Sequence, residues 1–132
     1  MSLTGVHGYV VGVLLIGTWA TVCGWSLALR FTRYEHTPTF WRVVSFGQIL
    51  LALQLLVGLV LLVLGRRPGP QGGGATLAFH LAYGVVFPLI ALVVGHRVAR
   101  DGRYNPHGVF AVVGLVCFGL TARAFMVGLS GV

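Results

Sequence analysis

Apolar residues fall into four long runs along this chain, separated by three short polar segments. The runs cover about residues 6–29, 43–65, 76–98 and 107–129. A helix needs about 20 apolar residues to cross the roughly 30 Å hydrocarbon core of a bilayer, and each run reaches that length. The pattern therefore predicts four membrane-spanning helices.

The connecting segments read RFTRYEHTPTFWR, RRPGPQGGGA and RDGRYNP. Each is rich in Arg, Gly or Pro and is too short to fold alone. Because short connections join antiparallel neighbours, we expect an all-α integral membrane fold, an antiparallel up-down bundle of four transmembrane helices forming a single domain over residues 1–132. The first run has no basic leader and no small-residue cleavage site, so we interpret it as a span and not as a signal peptide.

Composition supports the membrane assignment. Hydrophobic residues make up 57% of the chain and charged residues 8%, with a mean hydropathy of +0.93. Soluble domains carry roughly 25% charged residues. The net charge of +7 comes from arginines, most of them at the ends of apolar runs, where lipid headgroups explain them. We therefore expect membrane lipid, and not nucleic acid, as the partner of these charges.

The arginines also predict an orientation. Cytoplasmic loops of membrane proteins carry an excess of Lys and Arg. The first loop holds Arg30, Arg33 and Arg42, the third holds Arg97, Arg100 and Arg103, and the second holds only Arg66 and Arg67. We expect the first and third loops in the cytoplasm and both termini outside. The absence of Lys beside 20 Gly is typical of a GC-rich bacterial genome, hence of a bacterial plasma membrane.

Two histidines share a depth near the outer face under this topology. His7 opens the first run and His80 lies one turn into the third. An ionisable residue inside the hydrocarbon is by default a functional hypothesis. Two imidazoles on facing helices are the usual axial pair for a b-type heme in a helical bundle. We therefore predict one bis-histidine heme b with His7 and His80 as metal ligands.

Further residues are expected to complete this site: Gln54, Gly58, Tyr83, Gly84 and Arg123. The two glycines would leave room for a porphyrin, and Gln54 shares a helical stripe with Gly58. Arg123, expected to be buried, would neutralise a heme propionate, and Tyr83 would donate to the other. The alternative is plain packing, in which glycines mediate helix contacts, Gln54 bonds to a neighbouring helix and Arg123 extends to water.

The remaining histidines lie at the inner boundary. His36, His96 and His107 can each reach water at the headgroup level without a partner. A second heme held by His96 and His107 is a minor alternative, since the short turn joining them would expose the ring to water. Cys23 and Cys117 fall inside apolar runs and are interpreted as packing residues, not as a zinc site.

The order of these signals resembles one four-helix half of the heme A synthase family. An outer histidine, the string QLLVG, a short outer loop and a second histidine follow each other within residues 7–95. The resemblance implies a bis-histidine heme near the outer face. The chain departs from the family's Glu-x-x-His-Arg motif, with Thr4 and Gly8 in place of Glu and Arg, and lacks its outer-loop cysteine pair. It therefore implies a heme without the family's hydroxylation chemistry.

The function expected from these signals is electron transfer, because bis-histidine ligation fills both axial positions of the iron. The protein would be a small subunit or partner of a respiratory complex, exchanging electrons with quinone or an outer-face cytochrome, and could form homo-oligomers. Three alternatives remain: a cofactor-free accessory subunit, a heme-modifying oxidoreductase acting as a dimer, and a small transporter. The transporter reading is weakened by the single interior charge it would have.

Overall fold

The chain is helical throughout the residues that a computed structural model describes, 2–32 and 38–131, and these contain no strand. Four helices make up the fold: α1 (Leu3–Thr32), α2 (Pro38–Val63), α3 (Gly74–Arg100) and α4 (Pro106–Ser130). Each is long and apolar enough to cross a membrane, which confirms the prediction of four helices of spanning length and fits a multi-pass membrane protein. His36 lies outside the described residues.

Most helix ends lie beyond the predicted limits because of their terminal residues, whereas α2 ends at Val63, two residues before the predicted end. α2 begins at Pro38 instead of residue 43, since proline suits the first turn and Phe40 is fully buried there. α4 begins at Pro106 after an Asn105 cap, whose side chain accepts from the backbone N–H of His107 at 3.0 Å. Capping and proline placement, more than hydrophobicity, therefore fix these starts.

α1 and α4 form the central pair of helices. α2 packs on α1 and α3 packs on α4, whereas α2 and α3 make no substantial contact in the described residues. Within the contact of α1 with α4, a Cβ added to Gly114 would lie 2.7 Å from the backbone nitrogen of Cys23. A small residue is needed at such a crossing, so Gly114 sets the spacing of α1 and α4.

A cluster of aromatic rings fills the core near the start of α2 and α4. Phe40 and Phe110 are completely buried and His107 is 4% exposed. Trp41 stacks on His107 at 5.8 Å between ring centroids and meets Phe110 edge-on at 5.1 Å. Edge-to-face and offset contacts of this kind stabilise a core beyond simple burial. This cluster anchors the arginine-rich end of the molecule.

Two segments wind more widely than an α-helix. The turns are of π type over Val6–Gly12 in α1 and over Ala82–Val86 in α3. Such bulges disturb the regular backbone hydrogen bonds and are frequent at functional sites. One contains His7 and the other begins two residues after His80, so both wide turns of the described residues lie beside the paired histidines.

Candidate functional site

The structure brings His7 and His80 together. Their ring centroids are 6.1 Å apart and their planes are inclined by 54°. They come from α1 and α3, two helices that share no substantial backbone contact, so the rings approach each other across the space between the helices. The meeting of two imidazoles from separate helices is the central feature of the site.

A hydrogen bond to the backbone fixes the tautomer of His80. Its Nδ1 lies 2.9 Å from the carbonyl oxygen of Ala124 in α4. A carbonyl oxygen can only accept, so Nδ1 carries the proton and donates. Nε2 is then left with a free lone pair. Metal-binding histidines are commonly oriented in this way, by a bond from the ring nitrogen that does not bind the metal.

The ring of His7 makes no hydrogen bond within the described residues. Its Nδ1 is buried and unsatisfied. The backbone carbonyl of His7, which lies in the wide turn of α1, accepts from Nε2 of Gln54 at 3.0 Å, while Oε1 of Gln54 is also buried without a partner. Buried polar atoms normally find a partner, because leaving one unsatisfied costs about 1–3 kcal/mol. An imidazole held at its backbone but unsatisfied at its ring suits a ligand that the ring itself would bind.

Each histidine ring lies against a glycine of a neighbouring helix. A Cβ on Gly58 of α2 would come within 3.2 Å of Cε1 of His7. A Cβ on Gly128 of α4 would come within 3.2 Å of Cε1 of His80. Both distances are shorter than ordinary carbon–carbon contact of about 3.5–4.0 Å. The rings therefore occupy these positions because two side chains are absent.

A cavity of about 190 Å³ adjoins both rings and is bordered by all four helices. Besides the two histidines, its wall includes Gln54, Gly58, Gly84 and Gly128. Arg66, Arg67 and Pro68 of the segment between α2 and α3 border it as well, and both arginines are exposed. The cavity is thus apolar over most of its wall, with two histidines inside and two cations at its margin.

Two of the residues expected at the site do not border this cavity. Arg123, expected to be buried, is exposed instead, beside Met126 on the outer face of α4. The next residue, Ala124, faces α3. Because successive residues of a helix are rotated by about 100°, Arg123 points away from that contact. Tyr83 stacks on Phe79 at 6.2 Å and meets Phe87 edge-on at 5.9 Å. It belongs to an aromatic row along one face of α3.

The inner histidines occupy separate surroundings. His107 is enclosed by the aromatic cluster, and His96 meets the edge of Phe110 at 5.0 Å between centroids. Nε2 of His96 lies 2.6 Å from Nε2 of Gln48. The described residues show no ring contact between His96 and His107 like the one that joins His7 and His80.

The sequence interpretation missed several residues that shape the site. Gly128 and Ala124, spaced four residues apart, contact the second histidine. A small-xxx-small pair of this kind was a visible signal, because such pairs mark helix contacts in membranes. From the sequence, Arg66 and Arg67 were interpreted only as charges of the second loop. Their place at the cavity margin depends on how the intervening segment folds, for which the residue pattern gives no sign.

Metal sites of several protein ligands have no candidate in the described residues, where no three His, Cys, Asp or Glu side chains converge. Axial ligation of a heme needs only two. Comparison with protein-family models, curated proteins and solved structures finds no match for this chain. The function must therefore be inferred from the side chains themselves.

Proposed function

We propose that this chain is a membrane protein that holds one b-type heme between His7 and His80 and acts in electron transfer. The observation that carries the proposal is the approach of the two rings to 6.1 Å. No other pair of histidines in the described residues comes together in this way.

The spacing of the rings fits two axial ligands of one iron. Two metal–nitrogen bonds of about 2 Å and two ring radii of about 1.2 Å would put the centroids about 6.4 Å apart in a straight line. The observed separation is 6.1 Å. Two imidazoles can hold one iron at any inclination of their planes, so the observed 54° would not prevent it. The proton of His80 is on Nδ1, so Nε2 is the atom that would hold the iron.

The space around the rings would accept a flat macrocycle if side chains at the cavity margin moved aside. The cavity of about 190 Å³ is smaller than the roughly 300–1,000 Å³ of a typical cofactor pocket. Side chains at its margin would therefore turn aside on binding. The absence of substantial contact between α2 and α3 gives a direction in which the space can widen. Gly84, on the wall of the cavity, removes bulk one turn from His80.

The chain's own residues would bind and orient the group. The carbonyl of Ala124 orients His80, and Gln54 holds the backbone that carries His7. Arg66 and Arg67 are the cations that border the cavity, so we assign to them the propionate pairing that sequence reasoning gave to Arg123. The heme would supply one-electron chemistry, and two histidine ligands leave no open position for oxygen.

We further propose an up-down arrangement with both termini outside a bacterial plasma membrane. The contacts between α1 and α4 show that these two helices are antiparallel, because residue numbers rise along α1 as they fall along α4. The contacts join Gly12 with Phe125, Cys23 with Gly114, and Arg30 with Gly108. The first and third loops together hold six arginines and the second loop holds two, which favours a cytoplasmic position for the first and third loops. A C-terminal alkaline phosphatase fusion should be active, and an active cytoplasmic reporter at that end would reverse the orientation.

The proposed role is that of a small subunit or partner of a respiratory complex, exchanging electrons with quinone or a cytochrome. The order of the two histidines around the string QLLVG, which resembles half of a heme A synthase, is the argument from the sequence for heme binding. Thr4 and Gly8 at the diverging motif positions argue against the family's oxidation. A cofactor-free accessory subunit is the competing function, in which the bond from His80 to Ala124 only joins α3 to α4.

A difference spectrum separates these functions. The protein is expressed with ample heme, purified in detergent, and scanned after dithionite reduction against its oxidised form. We expect a sharp α band of a six-coordinate b heme. A featureless spectrum from folded, helical protein would contradict the proposal and favour the cofactor-free subunit.

A further inference from the structure

A second recess lies between α2 and α3, towards the arginine-rich end. Its volume is about 690 Å³, and it exists because the two helices make no substantial contact there. The lining runs along α3 from Val85 to Arg100, which corresponds to roughly 22 Å at 1.5 Å per residue. Leu55 and Val85 border both this groove and the histidine cavity. The groove is therefore long, narrow and open along one side.

The two ends of the groove differ in chemistry. The part nearer the histidine cavity is apolar, with Leu51, Leu55, Leu89 and Val93 among its walls. The opposite end carries polar and charged side chains: Gln48, His96, Arg97 and Arg100. A groove that is apolar along its length and cationic at one end matches an amphiphile with a long hydrocarbon chain and an anionic head.

Among the described residues, the polar end offers donors and positive charge, and no carboxylate lines it. Nε2 of Gln48 can only donate, so Nε2 of His96 accepts this bond of 2.6 Å and the imidazole proton sits on Nδ1. Neither Arg97 nor Arg100 pairs with a carboxylate among the described residues. Asp101, the acid nearest in sequence, contacts Arg103 at 3.2 Å. Within the described residues, both guanidinium groups therefore remain available to an anion.

We propose that this groove binds one anionic phospholipid, with its phosphate at Arg97 and Arg100 and an acyl chain along the apolar walls of α2 and α3. Basic recesses between membrane helices are suited to such headgroups, and guanidinium pairs with phosphate through two parallel hydrogen bonds. A neutral quinone would use the donors of His96 and Gln48 but would leave both arginine charges without a counter-ion. The proposal does not depend on heme binding.

Native mass spectrometry of the delipidated protein tests this site. Palmitoyl-oleoyl phosphatidylglycerol is titrated against phosphatidylcholine with the same acyl chains. We expect one phosphatidylglycerol per chain, bound at least tenfold more tightly than phosphatidylcholine. Inorganic phosphate should not displace it, because the acyl chain contributes to binding. Equal affinity for both lipids, displacement by phosphate alone, or displacement by a quinone with a long isoprenoid tail would each overturn the proposal.

Matched variants locate the binding. Arg97→Gln and Arg100→Gln should each weaken phosphatidylglycerol binding about fivefold, the effect of roughly one interfacial charge. Arg103→Gln, which removes an arginine already paired with Asp101 outside the groove, should leave it unchanged. The double variant Arg97→Lys with Arg100→Lys keeps the charge and should retain most of the binding. Ala52→Trp, which fills the apolar wall, should abolish binding in a protein of unchanged helix content, and retention of the lipid in that variant would contradict the placement.

Discussion

Replacing His80 or His7 with alanine is expected to abolish heme binding, and with it the α band of the reduced protein. Each ring would supply one of the protein's two bonds to the iron. Among the described residues, no third His, Cys, Asp or Glu side chain lies close enough to His7 and His80 to replace either of them. The loss should be near complete for both variants, because half of the protein's bonds to the iron would be removed in a cavity whose wall is mostly apolar. Heme content per chain, measured as the pyridine adduct, is the readout.

His96→Ala is the matched control for these two variants. His96 is also a half-buried histidine of α3, but it bonds to Gln48 far along the helix from His80. The control should retain full heme content. Loss of the band in His96→Ala with retention in His7→Ala would move the cofactor to the other end of the molecule. Unaltered heme content in both His7→Ala and His80→Ala would rule out the axial pair.

Filling the space beside either ring is expected to have the next largest effect. Gly58→Leu and Gly128→Leu each place a branched side chain where a Cβ alone already comes within 3.2 Å of an imidazole carbon. Overpacking of this kind costs about 1–3 kcal/mol, and displacement of the ring from its ligating position adds to it. We expect heme binding to weaken by roughly ten- to a hundredfold, since 1.4 kcal/mol corresponds to a factor of ten.

Controls for the glycine variants come from the same helices. Gly58→Ala should weaken binding less than Gly58→Leu, because a methyl group requires a shift of only a few tenths of an ångström. Gly119→Leu, on the same helix as Gly128, has no atom within 4 Å of an added Cβ and should leave heme binding unchanged. Heme titration into the apoprotein, followed by absorbance, gives the affinities. Wild-type affinity in both leucine variants at the rings would mean that the ring positions do not matter.

The four spans could be predicted from the sequence because length and hydropathy decide whether a helix crosses a membrane. The pairing of His7 with His80 was predicted from their common depth, and the structure brings their rings together. Depth follows from the rise of 1.5 Å per residue and requires no knowledge of side-chain packing. The bond of Gln54 to a neighbouring helix, one of the alternatives considered, is present and involves the carbonyl of His7.

Features that depend on helix rotation and loop folding could not be predicted in this way. Arg123 and Ala124 differ by one residue, yet only Ala124 faces the neighbouring helix. With apolar residues on every side of a lipid-facing helix, the pattern does not show which face points inward. The wide turns beside the histidines leave no mark in composition. The two arginines at the cavity margin depend on the fold of a segment rich in glycine and proline.

The state of the iron in the reduced protein tests the bis-histidine site most directly. Carbon monoxide is added to dithionite-reduced, heme-loaded protein in detergent, and the absorption spectrum is compared before and after. Because His7 and His80 would fill both axial positions, we predict one heme per chain and a spectrum that carbon monoxide does not change. A rapid shift to a carbon monoxide complex, or protein without heme, would contradict the account.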